Sequence, residues 1–267
     1  MKAWPQARQS LFNAARSALL PLQNTVSEST EVDCSLSGYA HLLPVVPVLA
    51  DLSGYSVPMA STIRSYRAPT VATEELSVVV SPGDMDTYLK LAIEDSEFVT
   101  HAFGLTDAVV LSDPSKAEIL DAIARSRFSL LALHGVSAGS PGSTEILSGR
   151  DTVSIVDILG SDLSASELIV FAACESAAPD QQVYKNPLSI SSAAVYAGAR
   201  AATGSMWRTP DKQASLFTRS LFSSLIEGCS IRLAYVKALK AIASEFELIP
   251  DFSLVQALPM SQSDTTN

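Results

Sequence analysis

The stretches 128-FSLLALHG-135 and 168-LIVFAACES-176 decide the fold, because each is an apolar run that ends on one reactive side chain. The first run ends at His134 and the second at Cys174. Near-continuous apolar runs of this length are typical of strands buried on both faces of a parallel sheet. Functional groups in such sheets gather beyond the carboxyl ends of the strands. The two stretches therefore predict neighbouring strands that deliver a histidine and a cysteine to one rim.

Further apolar runs alternate with amphipathic helical patterns from residue 76 onward. The strand-like runs are 76–81, 108–112, 128–134, 168–174 and, more weakly, 199–207. The helical patterns cover about 86–101, the stretch after the capping box Ser115-Lys116-Ala117-Glu118, 190–199, a segment from Pro210, and 231–244. This alternation predicts an α/β fold with a mostly parallel sheet covered by helices on both faces.

The two ends of the chain show other patterns. Residues 2–22 have the spacing of an amphipathic helix, whereas residues 23–37 are polar and predict a loop or linker. Residues 63–70 predict a short edge strand, and the polar end of the chain predicts a fraying tail. We therefore expect three parts: an N-terminal helix and linker (1–30), a main domain (31–249) and a C-terminal tail (250–267).

Composition excludes several classes of protein. The 267 residues carry a formal net charge of −10, which argues against a direct nucleic-acid binder because phosphate binding needs excess Lys and Arg. The longest uninterrupted apolar run has seven residues (168–174), far short of the about 20 that cross a membrane. We see no secretory signal, and the three cysteines and three histidines lack metal-ligand spacing. We expect a cytoplasmic protein without a metal or cofactor.

If the two runs are adjacent strands, His134 and Cys174 face each other across about 5 Å. An imidazole there can accept the thiol proton and later protonate a leaving amine. The backbone N–H groups of Gly135 and Cys174 could then stabilise an oxyanion. The alternative is structural: a cysteine that ends a strand is often core, and a histidine before glycine is often an ordinary loop residue.

The residues also resemble a known family. ALHG followed by LIVFAACES resembles the CHAT family, caspase-like domains of the clan that includes caspases and separases. HLLPVVPVLAD, RSYRAPT, LSVVVSPG and AGARAATGSMWRTPD resemble further family segments, so the resemblance covers about residues 36–245. The sequence departs from the family pattern at Met206, where Leu is common, and at Arg208-Thr209-Pro210.

The resemblance implies a cysteine protease with His134 as general base and acid and Cys174 as nucleophile. It implies a caspase-like three-layer α/β/α sandwich with a roughly six-stranded sheet. By similarity to separases, Asp211 would meet a basic P1 side chain of the substrate, and Trp207 would form a wall of that pocket. A structural interpretation stays open, since Thr209-Pro210-Asp211 is also a good helix start and Trp207 could simply pack.

The sequence therefore predicts a caspase-like endopeptidase that cuts a specific protein substrate under the control of a regulatory protein or sensor module. The alternative is an adaptor or scaffold that keeps the fold without proteolysis. A lipase-like serine hydrolase is a third and less favoured alternative. We expect residues 137–143 and 176–187 to form active-site loops, and Glu175 to be a structural acid held by backbone amides or by an arginine such as Arg200.

Overall fold

A computed structural model of the chain describes most of its length. The described residues are 3–36, 40, 43–64, 67–81, 90–104, 109–137, 144–148, 151–178, 188–246, 248 and 250–258. The two expected active-site loops lie largely outside these ranges, in 138–143 and 179–187. The start of the predicted helix at residue 86 and His41 of the family-like segment also lie outside them.

The first half of the chain contributes five helices and five strands of the described residues. A single 3₁₀ turn, Leu20–Leu22, extends the first helix. In chain order the elements are α1 (Ala3–Leu19), α2 (Gln23–Glu28), β1 (Val32–Cys34), α3 (Val45–Leu52), β2 (Met59–Arg64), β3 (Glu74–Val80), α4 (Lys90–Ala102), β4 (Val109–Ser112), α5 (Lys116–Arg125) and β5 (Ser126–Ala132).

The second half begins where the chain leaves β5. Its elements are β6 (His134–Ser137), β7 (Thr144–Ser148), β8 (Asp151–Ser154), α6 (Ile155–Leu159), β9 (Leu168–Phe171), α7 (Ile190–Tyr196), β10 (Ala201–Ser205), α8 (Asp211–Ile226), α9 (Ile231–Phe246) and β11 (Phe252–Leu258).

The central sheet has eight strands in the order β1-β2-β11-β10-β9-β5-β3-β4. Seven described strand pairs hold it together; six of them are parallel, and the pair of β10 with β11 is antiparallel. The prediction of a mostly parallel sheet is confirmed, but the expected number of six strands was too small. The additional strands come from the two ends of the chain, where the apolar pattern is short or interrupted.

Alternation along each strand divides the core into two layers. On β9, Leu168 and Val170 join one buried cluster, and Ile169 and Phe171 join the other, because successive side chains point to opposite faces. The first cluster takes side chains of α1, α2, α3, α4, α8 and α9, and the second takes those of α5, α6 and α7. The fold is therefore a three-layer α/β/α sandwich.

Two predictions for the ends of the chain were wrong. Residues 252–258 are not a fraying tail: they form β11, which lies between β2 and β10 in the sheet. Residues 23–37 contain α2 and strand β1. The expected edge strand at 63–70 instead forms earlier, as β2, and it pairs on both sides. Long-range pairing overrides weak local preferences in each case.

A second sheet was not predicted. Strands β6, β7 and β8 form an antiparallel meander that starts directly after the central strand β5. His134 is the first residue of β6 and pairs with Leu147 of β7. The histidine therefore lies where the chain leaves the central sheet, with only Leu133 between the two strands.

The register of β5 and β9 places the two reactive residues at one height. Phe128 pairs with Leu168 and Leu131 with Phe171, so each partner lies forty positions further along the chain. His134 and Cys174 are separated by the same forty positions. Because parallel strands advance together, the two chains reach these residues side by side beyond the carboxyl ends of β5 and β9.

Gly135 permits the close approach of the two strand ends. A methyl group on its Cα would lie 1.7 Å from the carbonyl oxygen of Cys174 and 3.1 Å from its backbone nitrogen. A side chain at this position would therefore overlap the backbone that carries the cysteine. The absence of a Cβ, rather than an unusual φ angle, is what this glycine supplies.

We expect Gly135→Ala to lower the free energy of unfolding by roughly 3 kcal/mol or more, because the added methyl group meets backbone that cannot turn away. Gly160→Ala is the matched control, since its new Cβ would meet nothing nearer than 3.4 Å. We expect that control to stay within about 0.5 kcal/mol of wild type in urea unfolding. Equal stability of the two variants would contradict the close approach.

Candidate active site

His134 and Cys174 line one cavity at the carboxyl edge of the sheet. Both side chains are partly exposed, and the cavity between them and helices α4 and α8 has a volume of about 40 Å³. Its lining is mainly apolar with several polar side chains: Ala92, Asp95, Leu130, Ala132, Leu133, His134, Ala172, Ala173, Cys174, Ser205, Thr209, Asp211, Ala214, Thr218 and Phe252. The structure thus brings together the two residues that the sequence singled out.

The backbone turns sharply after Cys174. Glu175 has a φ of 60°, in the left-handed region that non-glycine residues rarely adopt. The following Ser176 is fully buried, and its hydroxyl donates to the carbonyl oxygen of Ala173 at 2.8 Å. Gly204 of β10 makes room for it, because a Cβ there would lie 2.3 Å from the Ser176 Oγ. These contacts fix the direction in which the chain leaves the cysteine.

The Cys174 thiol is in contact with the segment that follows β10. Its Sγ donates a hydrogen bond to the carbonyl oxygen of Thr209 at 3.9 Å. Burial raises the pKa of the thiol, and the carboxylates of Glu175 and Asp251 act in the same direction. The Thr209 backbone and the Arg208 guanidinium act against them. The raised pKa means that the thiol is neutral near pH 7 and needs a base before it can attack.

Glu175 pairs with a different arginine from the one expected. The Arg208 Nε lies 3.4 Å from the Glu175 Oε1, whereas Arg200 lies at the start of β10, at the opposite edge of the sheet. The backbone N–H of Glu175 donates to the carbonyl oxygen of Trp207 at 3.4 Å. Glu175 is a structural acid as predicted, and its partner comes from the neighbouring loop.

Asp211 is among the residues that line the cavity. It is the first residue of α8, and its Oδ2 accepts a hydrogen bond from the backbone N–H of Leu91 in α4 at 3.2 Å. Pro210 rather than Thr209 precedes the helix as its capping residue, without a side-chain cap. Asp211 therefore has a structural contact and also presents a carboxylate at the cavity.

Trp207 lies elsewhere. Its ring packs edge-on against Phe12 of α1, with ring centroids 5.7 Å apart and an interplanar angle of 89°. The described residues that line the cavity do not include it. The structure therefore does not place the indole in the wall that the sequence suggested.

Asp95 is the site residue that sequence reasoning missed. It is 5% exposed, and its Oδ1 accepts hydrogen bonds from Ser215 at 2.7 Å and from Arg219 at 2.6 Å. Burial raises the pKa of this carboxyl, although the hydrogen bonds from Arg219 and Ser215 oppose that rise. Asp95 lies three residues after Ala92 and four residues before Val99, which both point inward. This helical spacing places the Asp95 carboxylate on the buried face of α4, and the spacing could have identified Asp95 from the sequence.

The described residues contain no group of three or more His, Cys, Asp and Glu side chains that could hold a metal ion. In the same part of the chain, no helix is both long and apolar enough to span a bilayer. Cys34 is buried, and its burial raises the pKa of the thiol to about 11. Cys229 accepts a hydrogen bond from the Lys237 ammonium at 3.2 Å and is not among the described residues that line the cavity.

Comparison with solved structures supports the fold assignment. The complex of the Porphyromonas gingivalis RgpB pro- and mature domains matches with a TM-score of 0.58 at 12% identity, over 79% of this chain and 59% of that one. The Saccharomyces cerevisiae separase–securin complex matches in two structures, with TM-scores of 0.60 and 0.58 at 16% and 15% identity. Both cover 85% of this chain, which spans only 15% and 16% of the matched chains.

Sequence comparison identifies the family. A search of curated proteins finds no match. Residues 89–247, more than half of the chain, match the CHAT domain family. This range includes both strands that end at the cavity, together with helices α8 and α9. The sheet order, the cavity shared by His134 and Cys174 and the family match agree, and the chain belongs to the CHAT domain family of caspase-like proteins.

Proposed function

We propose that the chain is a cysteine endopeptidase in which Cys174 is the nucleophile and His134 the general base and acid. The observation that carries the proposal is the register of β5 and β9, whose last pair, Leu131 with Phe171, lies three residues before His134 and Cys174. Both line one cavity at the carboxyl edge of the sheet. Neither is replaced, so the arrangement favours proteolysis over an adaptor that keeps only the fold.

The raised pKa of Cys174 defines the first chemical step. A buried neutral thiol attacks poorly, so His134 accepts its proton as the sulfur adds to the carbonyl carbon of the scissile peptide bond. This addition forms a tetrahedral intermediate whose negative charge resides on the former carbonyl oxygen. The backbone N–H groups of Gly135 and Cys174, which belong to peptide units in contact, are the proposed donors to that oxygen.

The remaining steps return the enzyme to its starting state. Protonated His134 donates its proton to the leaving amine as the C–N bond breaks, which leaves a thioester on Cys174. Water then adds to the thioester while His134 accepts its proton. The C–S bond breaks, the acid product departs, and the proton returns to the sulfur.

Charge at the cavity supports a basic P1 residue. The Asp211 and Asp95 carboxylates line it, and Arg219 pairs with Asp95 at 2.6 Å and with Glu94, which lies outside the lining, at 3.5 Å. Arg219 is the only cation within ion-pair distance of these three acids in the described structure. The wall therefore carries an excess of negative charge that favours a lysine or arginine side chain.

The similar solved structures support control of this chain by a protein partner. The matched solved structures contain RgpB with its pro-domain and separase with securin, so both are complexes of a similar fold with a further polypeptide. We propose that this chain also acts on a protein substrate under the control of a protein partner or sensor module. No nucleic acid or membrane contact is part of the proposal.

The catalytic pair is tested with fluorescent peptides that carry Arg or Lys at P1. We expect Cys174→Ala and His134→Ala each to lower kcat by about a thousandfold or more, because nucleophile and base act as one unit. Cys229→Ala is the matched control, since that cysteine is also partly exposed but bonds to Lys237 instead. Cleavage by Cys174→Ala at the wild-type rate would refute the assignment.

The pocket is tested by Asp211→Asn, which keeps the shape and removes the charge. We expect kcat/KM for Arg and Lys peptides to fall about tenfold or more relative to a neutral P1 residue, since a buried ion pair with the substrate is lost. Glu94→Gln is the control, because Glu94 is an acid of helix α4 that does not line the cavity. An unchanged P1 preference in Asp211→Asn would remove this part of the proposal.

A further inference from the structure

Helix α1 reaches the active site through one aromatic contact. Phe12 is 2% exposed and belongs to the main core cluster, and its ring meets the ring of Trp207 edge-on at 5.7 Å. Edge-to-face contacts of this kind have a specific geometry as well as an apolar area. The position of α1 therefore determines the position of the indole.

The backbone of Trp207 connects three parts of the site. Its carbonyl oxygen accepts hydrogen bonds from the N–H of Glu175 at 3.4 Å, from the Ser205 hydroxyl at 2.9 Å and from the Thr209 hydroxyl at 3.3 Å. Glu175 directly follows the nucleophile, and Ser205 ends β10. A shift of Trp207 is thereby transmitted to the peptide that carries Cys174.

Segment 207–209, which consists of Trp207, Arg208 and Thr209, contacts the nucleophile on two sides. The Thr209 carbonyl oxygen accepts from the Cys174 Sγ at 3.9 Å, and the Arg208 guanidinium lies 3.4 Å from the Glu175 carboxylate. The charged groups that act on the thiol are Glu175, Asp251 and Arg208, and His134 lines the same cavity. Among them, the Arg208 guanidinium favours the thiolate, and it belongs to this segment.

We propose that helix α1 is a positioning element for the nucleophile, with Phe12 holding Trp207 and Trp207 holding segment 207–209 against Cys174. The proposal rests on Cys174 being the nucleophile, as proposed above. It assigns Trp207 a positioning role in place of the substrate contact expected from the family resemblance. Because the segment leads directly into Asp211, the same contact also sets the start of the cavity wall.

Helix α1 is attached to the core through few buried side chains, as expected of an element that a partner could displace. Only Phe12 and Ala15 are fully buried among its residues 7 and 9–19, and its ion pair with the core, Arg16 to Asp51 at 2.9 Å, is exposed to solvent. Exposed ion pairs contribute little to stability, so α1 is held mainly by its buried side chains, of which Phe12 is the one that meets Trp207. A protein that binds the exposed side of α1 and displaces it would withdraw support from segment 207–209.

Alkylation of Cys174 by iodoacetamide, followed over a range of pH by peptide mapping of the full chain, tests the proposal. We expect Phe12→Ala to raise the apparent pKa of Cys174 and to lower its alkylation rate near neutral pH about threefold or more, because the thiolate loses support. Cys34, whose pKa burial raises to about 11, serves as a slow internal reference. The assay needs no substrate, so an inactive peptidase would not affect its outcome.

Val26→Ala is the matched control, because Val26 is 5% exposed in the neighbouring helix α2 and belongs to the same core cluster but has no aromatic ring. We expect it to keep the wild-type pH profile. Phe12→Leu retains an apolar side chain in the core and removes the ring edge, so it should shift the profile in the same direction if Phe12→Ala does not fold. A wild-type profile in the folded Phe12 variant, or an equal shift in Val26→Ala, would overturn the proposal.

Discussion

The parallel pairing of β5 with β9 is the constraint on which the rest of the site depends. Its last pair, Leu131 with Phe171, lies three residues before His134 and Cys174, and both of these residues line one cavity. Gly135 lets the two chains touch, since its Cα lies against the Cys174 carbonyl group. Helices on both faces bury the strands, so a slip in this register would expose apolar side chains as well as separate the two reactive groups.

A second set of contacts determines the pKa and the reactivity of the Cys174 thiol. Burial alone would leave Cys174 as an inert core thiol, because its pKa is raised and two carboxylates act in the same direction. Segment 207–209 supplies the opposing interactions, and its own position depends on β10 and on α1. The proposed reactivity of the thiol is therefore a property of three elements that are distant in sequence: the end of β9, the segment after β10 and the N-terminal helix.

The central strands and their reactive ends were predictable from the sequence because each strand is a continuous apolar run. The helix that begins after Ser115 was predictable too, since its capping box is local and is present in the structure. Strand β11 was not predictable: it follows α9 in a stretch with few β-branched residues and is held by pairing with β2 and β10. The meander after His134 was likewise missed, because its strands are short.

The active-site residues were only partly predictable, because only some of them end a continuous apolar strand. His134 and Cys174 end recognisable strands, but Asp95 and its partners on α8 are 120 and 124 positions apart, and no local pattern joins them. Phe12 is similarly remote from Trp207, so the indole could be read equally well as a pocket wall or as a packed side chain. Contacts between helices on one face of a sheet are set by tertiary packing, which a single sequence does not specify.

The central claim is that one base and one nucleophile share a site that accepts a basic side chain. The most direct measurement is covalent capture by a peptidyl acyloxymethyl ketone with arginine at P1, read by intact mass and peptide mapping. The account predicts a single adduct, located on Cys174, that is lost in His134→Ala while free iodoacetamide still labels that variant. An adduct located on Cys34 or Cys229, or equal capture in His134→Ala, would contradict it.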